Sequence, residues 1–327
     1  MSQIYSRIVG TGSALPEKAT TNSQLAQELS LRNIETNDEW IRTRTGIEKR
    51  YFAERDLTTT RLAERAARSA FWNSSVAPED IDLIIVATTT PDMVFPSTAC
   101  QLQKLLGCKQ GAAFDLQAVC AGFVYALVNA DALIRTGAYK KALVVGVDIM
   151  SRIVDWDDRS TCVLFGDGAG AVILEASEEP GILASHLSAD GRLDEKILGC
   201  EARFEGGESR GEAFVRMDGQ AVFKMAVSAM SQSASHVLNA ANLTAADVNH
   251  YIPHQANYRI MEKVAQKIGV DLEKMVVTVN RHGNTSAASV PLALDNAVRH
   301  DLIQKGDIVL MQAVGAGMAW GSVLLKW

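Results

Sequence analysis

The sequence predicts an α/β protein built from two similar halves. Short apolar runs rich in Val and Ile end at Gly, Pro or Asp, and longer helical patterns lie between them. Such apolar strands alternating with helices are typical of sheets that helices cover on both faces. The same order of elements then recurs in the second part of the chain, which indicates a duplicated α/β unit.

The predicted elements follow in chain order. Five apolar runs are predicted strands, at residues 84–87, 142–147, 171–174, 275–279 and 307–311. Two long patterns, at residues 120–135 and 225–241, predict helices. At about 150 residues per domain, the 327 residues allow about two domains.

The repeat has a spacing of 165 residues (247 − 82). Three pairs share it: Asp82 with Asp247, Cys120 with Thr285, and Leu143 with Ile308. The turn-forming SEEPG at residues 177–181 predicts a boundary between residues 1–177 and 178–327. Two unrelated α/β domains remain the alternative.

Composition narrows the function. Apolar residues make up 47%, which excludes general disorder, and the net charge of −6 argues against a general nucleic-acid binder. The N-terminus lacks the features of a secretory signal, and no run approaches the ~18 apolar residues of a membrane span. Five scattered cysteines without a CxxC pair argue against a zinc site or disulfide framework, so we expect a reduced, cytoplasmic enzyme without a metal.

Two glycine-rich stretches are not convincing nucleotide sites. The GTG at residues 10–12 lacks the third glycine of a dinucleotide fingerprint. The GDGAG at residues 166–170 precedes a strand and not a helix, so we interpret it as a tight turn.

Cys120 has the most suggestive setting of the five cysteines. It lies between a predicted strand and an apolar, buried helix, at the positive helix N-terminus that favours a thiolate. His254 and Asn284 also lie between strand and helix, although each alone fits a structural role. Together with the GAG loop at residues 315–317, a thiol and two neutral polar groups suit thioester chemistry.

Six sequence motifs resemble those of a known enzyme family. They are DEWIRTRTGI at 38–47, VCAGFVYAL at 119–127, FGDGAGAVIL at 165–174, PHQANYRI at 253–260, HGNTSAASVP at 282–291 and WGSVLL at 320–325. These motifs span almost the whole chain and occur in the same order as in the β-ketoacyl-acyl-carrier-protein synthase III family, which the sequence therefore resembles. The resemblance implies the thiolase fold, with duplicated α/β halves in five layers, αβαβα, and a homodimer.

The resemblance also implies site residues. Cys120 is similar to the acylated nucleophile, and His254 and Asn284 to the pair that receives the malonyl thioester carbonyl. Thr36, Trp40 and Arg159 are similar to coenzyme A contacts, and Phe95 to the residue that closes the partner subunit's acyl pocket. The backbone N–H groups of Cys120 and Ala316 are the implied oxyanion donors.

Two positions depart from the family. Ala316 stands where glycine is frequent, so the oxyanion loop must tolerate a Cβ atom. Val314, a predicted residue of the acyl pocket, stands where some members have phenylalanine, and the smaller side chain is expected to alter the packing beside Cys120.

The helix after PHQAN carries a basic face. Arg259, Lys263 and Lys267 recur every four residues, with Lys224 as a possible fourth cation. The pattern alone fits a solvated face, and the resemblance adds an acidic acyl carrier protein as partner.

The resemblance implies a decarboxylative condensation of a short acyl-CoA, expected to be acetyl-CoA, with malonyl-acyl carrier protein. This reaction initiates type II fatty-acid synthesis and requires no cofactor, because the departing carboxylate supplies the carbanion. The main alternative is a related synthase with a branched, longer or secondary-metabolite starter. Two further classes fit some of these residues: a cysteine hydrolase, and a non-catalytic protein that binds CoA or the carrier protein.

Overall fold

The computed structural model describes residues 3–192, 197–200, 202–205 and 208–327. Its strands are β1 Tyr5–Ala14, β2 Ala19–Thr21, β3 Lys49–Tyr51, β4 Leu83–Ala87, β5 Ala112–Leu116, β6 Lys141–Ile149, β7 Asp167–Ser177, β8 Ile182–Ala189, β9 Leu198–Cys200, β10 Arg203–Glu205, β11 Glu208–Arg210, β12 Val215–Met217, β13 His250–Pro253, β14 Ile308–Gly315 and β15 Ala319–Lys326. Its helices are α1 Asn22–Ser30, α2 Asp38–Thr45, α3 Thr59–Trp72, α4 Thr98–Leu106, α5 Gly122–Arg135, α6 Arg159–Cys162, α7 Gly219–Ala240, α8 Tyr258–Ile268, α9 Val279–His282 and α10 Ser289–Arg299.

Short 3₁₀ helices complete the regular structure. They are Pro78–Asp80, Val119–Ala121, Met150–Arg152, Ala245–Asp247, Leu272–Lys274, Ser286–Ala288 and Ala316–Met318. Among the helices of the described ranges, none combines the length and apolar character needed to cross a membrane.

Two sheets stand between three layers of helices. The first sheet has the order β1-β7-β6-β4-β5, and the second has the order β13-β14-β15-β8. Helices α3 and α4 cover the outer face of the first sheet, and α7, with α8 against it, covers the outer face of the second. Helices α5 and α10 lie between the sheets, in a core that contains Phe123, Leu127, Leu294 and Met311. The five layers are therefore α, β, α, β and α, as the family resemblance implied.

The two halves repeat the same elements, but the spacing differs from the predicted 165 residues. Strands β4 and β13, the 3₁₀ turns that begin at Val119 and Ser286, and strands β6 and β14 all begin 167 residues apart (308 − 141). The shift of two residues makes Ala287, and not Thr285, the counterpart of Cys120. Strand β7 ends at Ser177 in the first sheet and β8 begins at Ile182 in the second. The division at residue 177 into two domains stays a prediction.

Four of the five predicted strands are present, and the run at 275–279 is not one of them. Only Met275 makes a bridge, to Tyr251, and α9 begins at Val279. The Gln255 side chain explains the difference, because its Oε1 accepts hydrogen bonds from the backbone N–H groups of Thr278 and Val279. These side-chain bonds replace a strand ladder. The predicted helix at 225–241 begins earlier, at Gly219, because the Asp218 side chain caps it.

The glycine-rich stretches serve close packing. Strand β1 runs straight through GTG, and a Cβ atom on Gly12 would lie 2.2 Å from the backbone nitrogen of Ala70 in α3. The GDGAG stretch is the beginning of β7 and not the predicted turn. Among its glycines, Gly170 leaves room for the backbone of Leu292 in α10. Neither stretch forms a phosphate-binding loop.

Candidate active site

Cys120 lies on a strained turn between β5 and α5. Val119 has a φ of +48°, which is unfavourable for a β-branched residue, and such strain is concentrated at functional sites. The turn places Cys120 two residues before α5 begins at Gly122, with only 6% of the residue exposed. The structure therefore confirms the strand–turn–helix setting that the sequence predicted for this cysteine.

The thiol, and not the thiolate, is favoured at Cys120 in this site. The helix N-terminus was expected to favour the thiolate, but burial raises the pKa of Cys120 to about 12. The Ser286 hydroxyl, whose Oγ lies 3.5 Å from Sγ, lowers that pKa, while the nearby Asp148 carboxylate raises it. The expected thiolate is thus corrected, because desolvation outweighs the favourable contacts.

Asp148 holds together the backbone segments beneath Cys120, although no sequence pattern indicated this residue. Its fully buried carboxylate accepts hydrogen bonds from the backbone N–H of Thr89 at 2.7 Å and of Ala287 at 3.2 Å. Burial raises the pKa of this carboxyl group, and hydrogen bonds from the backbone N–H groups of Thr89 and Ala287 oppose the rise. Asp148 therefore ties the first sheet to the turn that carries Ser286.

His254 follows β13 directly and is held from two sides. Its backbone N–H donates to the carbonyl of Gln312 at 2.7 Å, and its Nδ1 lies 2.6 Å from Oγ of Ser289. Burial lowers the pKa of His254 to about 4, so the ring is neutral at pH 7. Across the described ranges, Nε2 has no hydrogen-bond partner, and the ring lines the main cavity.

Asn284 is oriented by the turn that follows it. Its Oδ1 accepts the backbone N–H of Ser286 at 2.9 Å, and its own backbone N–H donates to the carbonyl of Leu164. Because the amide oxygen is occupied, the Nδ2 group remains as the donor of this side chain. It makes no hydrogen bond within the part of the chain that the structure describes.

The loop at Ala316 lies against the Cys120 turn. A Cβ atom on Gly315 would lie 2.6 Å from the carbonyl of Ala118 and 2.9 Å from the nitrogen of Cys120, so only glycine fits there. Ala316 opens a 3₁₀ turn, where the first N–H groups have no partner within the helix. The positive φ belongs to Gly317 and Met318, so the Cβ atom of Ala316 causes no backbone strain.

One cavity of about 1060 Å³ is lined by the three predicted catalytic residues and by several of the other predicted site residues. It is lined by the predicted residues Cys120, His254, Asn284, Val314 and Ala316, and also by Lys224 and Arg259. The remaining predicted site residues lie outside its lining: Thr36, Trp40, Phe95, Arg159, Lys263 and Lys267. Among the described residues, no group of His, Cys, Asp and Glu side chains is arranged to hold a metal ion.

The predicted coenzyme A contacts form a separate cluster. The guanidinium carbon of Arg159 lies 4.7 Å from the Trp40 ring centroid, and that of Arg44 lies 4.4 Å from it. An aromatic ring can enter between Trp40 and Arg159 only after these side chains separate. The Thr36 hydroxyl is buried without a partner among the described residues. Sequence reasoning missed Arg44, although it lies four residues after Trp40 on the same helix face.

A hydrogen bond connects this cluster to the cavity. Asn257 lines the cavity, caps α8 by accepting the N–H of Arg259, and donates from Nδ2 to the carbonyl of Arg44 at 3.0 Å. The C-terminal end of α2 is therefore held beside the N-terminal end of α8.

Phe95 lies on an exposed apolar loop. It is 81% exposed, and its neighbours Met93 and Val94 are 47% and 85% exposed. Such a contiguous apolar segment is typical of a protein interface. The predicted role of Phe95 in a partner subunit's pocket stays a prediction.

The basic face of α8 is present. Arg259, Lys263 and Lys267 are exposed, while Val264 on the other face is buried. Within the described ranges, neither they nor the exposed Lys224 of α7 form an ion pair. Among the described residues, these four cations are therefore exposed positive charges, and two of them, Lys224 and Arg259, line the cavity.

Three polar residues of the site were missed: Asp148, Ser286 and Ser289. The two serines lie inside HGNTSAASVP, so their place in a functional motif was visible. Asp148 had no such signal, because its contacts come from β4, β6 and the Ser286 turn meeting in space.

Comparisons with known proteins show the family to which the chain is similar. The sequence models of 3-oxoacyl-[acyl-carrier-protein (ACP)] synthase III and of its C-terminal domain match residues 114–191 and 238–327. A β-ketoacyl-[acyl-carrier-protein] synthase III from Bordetella petrii is 56% identical over 322 residues, which cover 98% of each chain.

Solved structures give the same result. A 3-oxoacyl-[acyl-carrier-protein] synthase III from Aquifex aeolicus VF5 superimposes with a TM-score of 0.92 at 44% identity, covering 98% of this chain and 100% of that one. The priming β-ketosynthase of the R1128 polyketide pathway gives a TM-score of 0.93 at 34% identity, covering 99% and 97%.

Proposed function

The chain belongs to the 3-oxoacyl-[acyl-carrier-protein] synthase III family of the thiolase fold, and we propose that acetyl-CoA is the starter it condenses with malonyl-acyl carrier protein. It is an acyltransferase that performs the initiating condensation of fatty-acid synthesis. One observation carries the assignment of residues: a single cavity contains the Cys120 thiol, two side-chain donors and the loop of Ala316.

The first half-reaction acylates Cys120. Sγ attacks the thioester carbonyl of acetyl-CoA, and the backbone N–H groups of Cys120 and Ala316 stabilise the oxyanion. The C–S bond to coenzyme A then breaks, and the Cys120 proton ends on the departing CoA sulfur. Because burial raises the pKa of Cys120 to about 12, this proton must leave as Sγ attacks. The Ser286 hydroxyl beside Sγ assists by donating a hydrogen bond to the developing thiolate.

The second half-reaction uses the two side-chain donors. The malonyl thioester carbonyl accepts hydrogen bonds from Nε2 of His254 and Nδ2 of Asn284, which stabilise the enolate as carbon dioxide leaves. The enolate carbon attacks the acyl carbonyl on Cys120, the C–S bond breaks, and a proton from solvent restores the thiol. This chemistry requires no metal or redox cofactor, because decarboxylation supplies the electron pair.

The remaining residues recognise the substrates. Trp40 and Arg159 separate to hold the adenine of coenzyme A, with Thr36 beside them and Arg44 as an additional contact. The cations Arg259, Lys263, Lys267 and Lys224 bind the acidic acyl carrier protein. Their exposure and the absence of ion pairs among the described residues support this role.

The apolar loop at Phe95 supports a homodimer in which this side chain closes the partner subunit's acyl pocket. Because Val314 is a small lining residue, the alternative of a branched or longer starter is kept. The alternative also includes a secondary-metabolite starter, because the similar priming β-ketosynthase of R1128 comes from a polyketide biosynthetic pathway. We place the reaction in the cytoplasm, where the reduced cysteines fit.

Cys120→Ala tests the assignment. With labelled acetyl-CoA, the wild-type protein is expected to hold covalent label that malonyl-acyl carrier protein converts to a β-ketoacyl product. Cys120→Ala should hold no label, whereas Cys108→Ala, a matched control outside the cavity, should behave like the wild type. Label on Cys120→Ala would show that another residue is the nucleophile, and release of free acetate by the wild type would indicate a hydrolase.

A further inference from the structure

Ser289 contacts Nδ1 of His254, the ring nitrogen that has a hydrogen-bond partner among the described residues, whereas Nε2 has none there. It is the first residue of α10 and is 1% exposed. Its Oγ lies 2.6 Å from Nδ1 of His254 and also accepts the backbone N–H of Gln255 at 3.3 Å. Across the described ranges, these are the two hydrogen-bond contacts of the hydroxyl group.

The two contacts fix which atom donates. Because the Gln255 N–H already points at Oγ, the hydroxyl proton has one acceptor left, which is Nδ1 of His254. In the opposite tautomer, Nδ1–H would donate to Oγ and leave the buried hydroxyl proton without an acceptor. Buried donors without acceptors are disfavoured, so the arrangement selects the tautomer with its proton on Nε2.

The choice of tautomer matters because the His254 ring is neutral. Burial lowers the pKa of His254, so at pH 7 the ring carries a single proton, which sits on either Nδ1 or Nε2. Only a proton on Nε2 allows the ring to donate into the cavity. The neighbouring Asn284 is oriented in the same way, since the Ser286 N–H occupies Oδ1 and leaves Nδ2 as the donor.

We propose that Ser289 is a positioning residue for the condensation step, which it serves by donating to Nδ1 and thereby keeping Nε2 of His254 protonated towards the malonyl thioester carbonyl. The inference rests on the proposed division of labour, in which His254 acts in the second half-reaction. Ser289 is not part of the cavity lining, and among the described residues its hydroxyl makes no hydrogen bond to Cys120.

The wild-type protein provides the first test. After labelling of histidine with ¹⁵N, the spectrum at pH 7 should show His254, assigned by its loss in His254→Ala, with a protonated Nε2 and an unprotonated Nδ1. A His254 signal with the proton on Nδ1 would overturn the proposal whatever the kinetics show. The measurement needs no turnover, so it is independent of the proposed reaction.

Variants provide the second test. Ser289→Ala should shift His254 towards the other tautomer and slow condensation about 10-fold more than acylation by acetyl-CoA. Ser289→Thr, which keeps the hydroxyl, should restore both properties. Ser233→Ala is the matched control, because it removes a hydroxyl from Nδ1 of His186 outside the cavity. An unchanged tautomer in Ser289→Ala, or equal loss of both half-reactions, would overturn the proposal.

Discussion

The duplicated turns that begin at Val119 and Ser286 have similar backbone conformations but carry different functional groups. Both are 3₁₀ turns that precede a central helix, and both begin with a non-glycine residue at positive φ, +48° at Val119 and +50° at Ser286. The first turn presents the Cys120 thiol, while its counterpart in the second turn is Ala287. Ser286 instead presents a hydroxyl to Cys120. The duplication therefore produces the same backbone conformation twice. The side chains on each turn then differ: the first turn carries the proposed nucleophile, and the second carries a residue that supports it.

The comparison extends to the two halves of the reaction. In the proposed mechanism, the acylation step uses Cys120 and the Trp40 cluster, which lie in the first half of the chain. The condensation step uses His254, Asn284 and the basic face of α8, which lie in the second half. On this proposal, changes at these second-half residues should affect condensation selectively.

Asn284→Ala is expected to have the largest effect. Removing the Nδ2 donor should slow condensation by about 10²–10³-fold, because the enolate loses one of its two donors. Acylation of Cys120 by labelled acetyl-CoA should change much less. Separate measurements of covalent labelling and of carbon dioxide release give both rates, with His254→Ala as the parallel variant and His300→Ala as a matched histidine control outside the cavity. Equal losses in both steps would contradict the division.

Ser286→Ala tests an exception to this division, because Ser286 lies in the second half of the chain but contacts the proposed nucleophile, Cys120, of the first half. The hydroxyl lowers the pKa of Cys120, so its removal should raise that pKa and reduce the thiolate fraction at every pH below it. Acylation at pH 7 should fall about 10-fold, because the developing thiolate loses its hydrogen-bond donor. Covalent labelling by acetyl-CoA and alkylation by iodoacetamide, both measured at pH 7, check the loss.

Ser286→Gly is the control for backbone strain. It removes the same hydroxyl but accepts the φ of +50° without strain, so it should slow acylation as much as Ser286→Ala does. Acylation at the wild-type rate in Ser286→Gly would show that the hydroxyl is not needed.

The residue pattern predicted the fold class and the order of elements, because apolar runs and helical periodicity are local signals. It also predicted that Cys120 and His254 follow strands, and they follow β5 of the first sheet and β13 of the second. The same prediction for Asn284 was wrong, because this residue follows the short helix α9 and not a strand at 275–279. The pKa of Cys120 was not predictable, since desolvation depends on how α5, β14 and the Ser286 turn close over the thiol. The missing strand at 275–279 depends likewise on one distant side chain, Gln255.

Arg259→Glu is expected to have the smallest effect and to sharpen the division between the halves. Arg259 is exposed at the cavity lining, so reversing its charge should repel an acidic carrier protein and raise the KM for malonyl-acyl carrier protein about 5-fold at low salt. Acylation by acetyl-CoA should stay within about 2-fold of the wild type, since a rim charge acts on encounter and not on the reacting atoms. Lys305→Glu, an equal charge reversal at an exposed site outside the cavity lining, is the control for net charge. An unchanged KM in Arg259→Glu, or the same increase in Lys305→Glu, would remove α8 from the docking surface and leave His254 and Asn284 to define the second half's role.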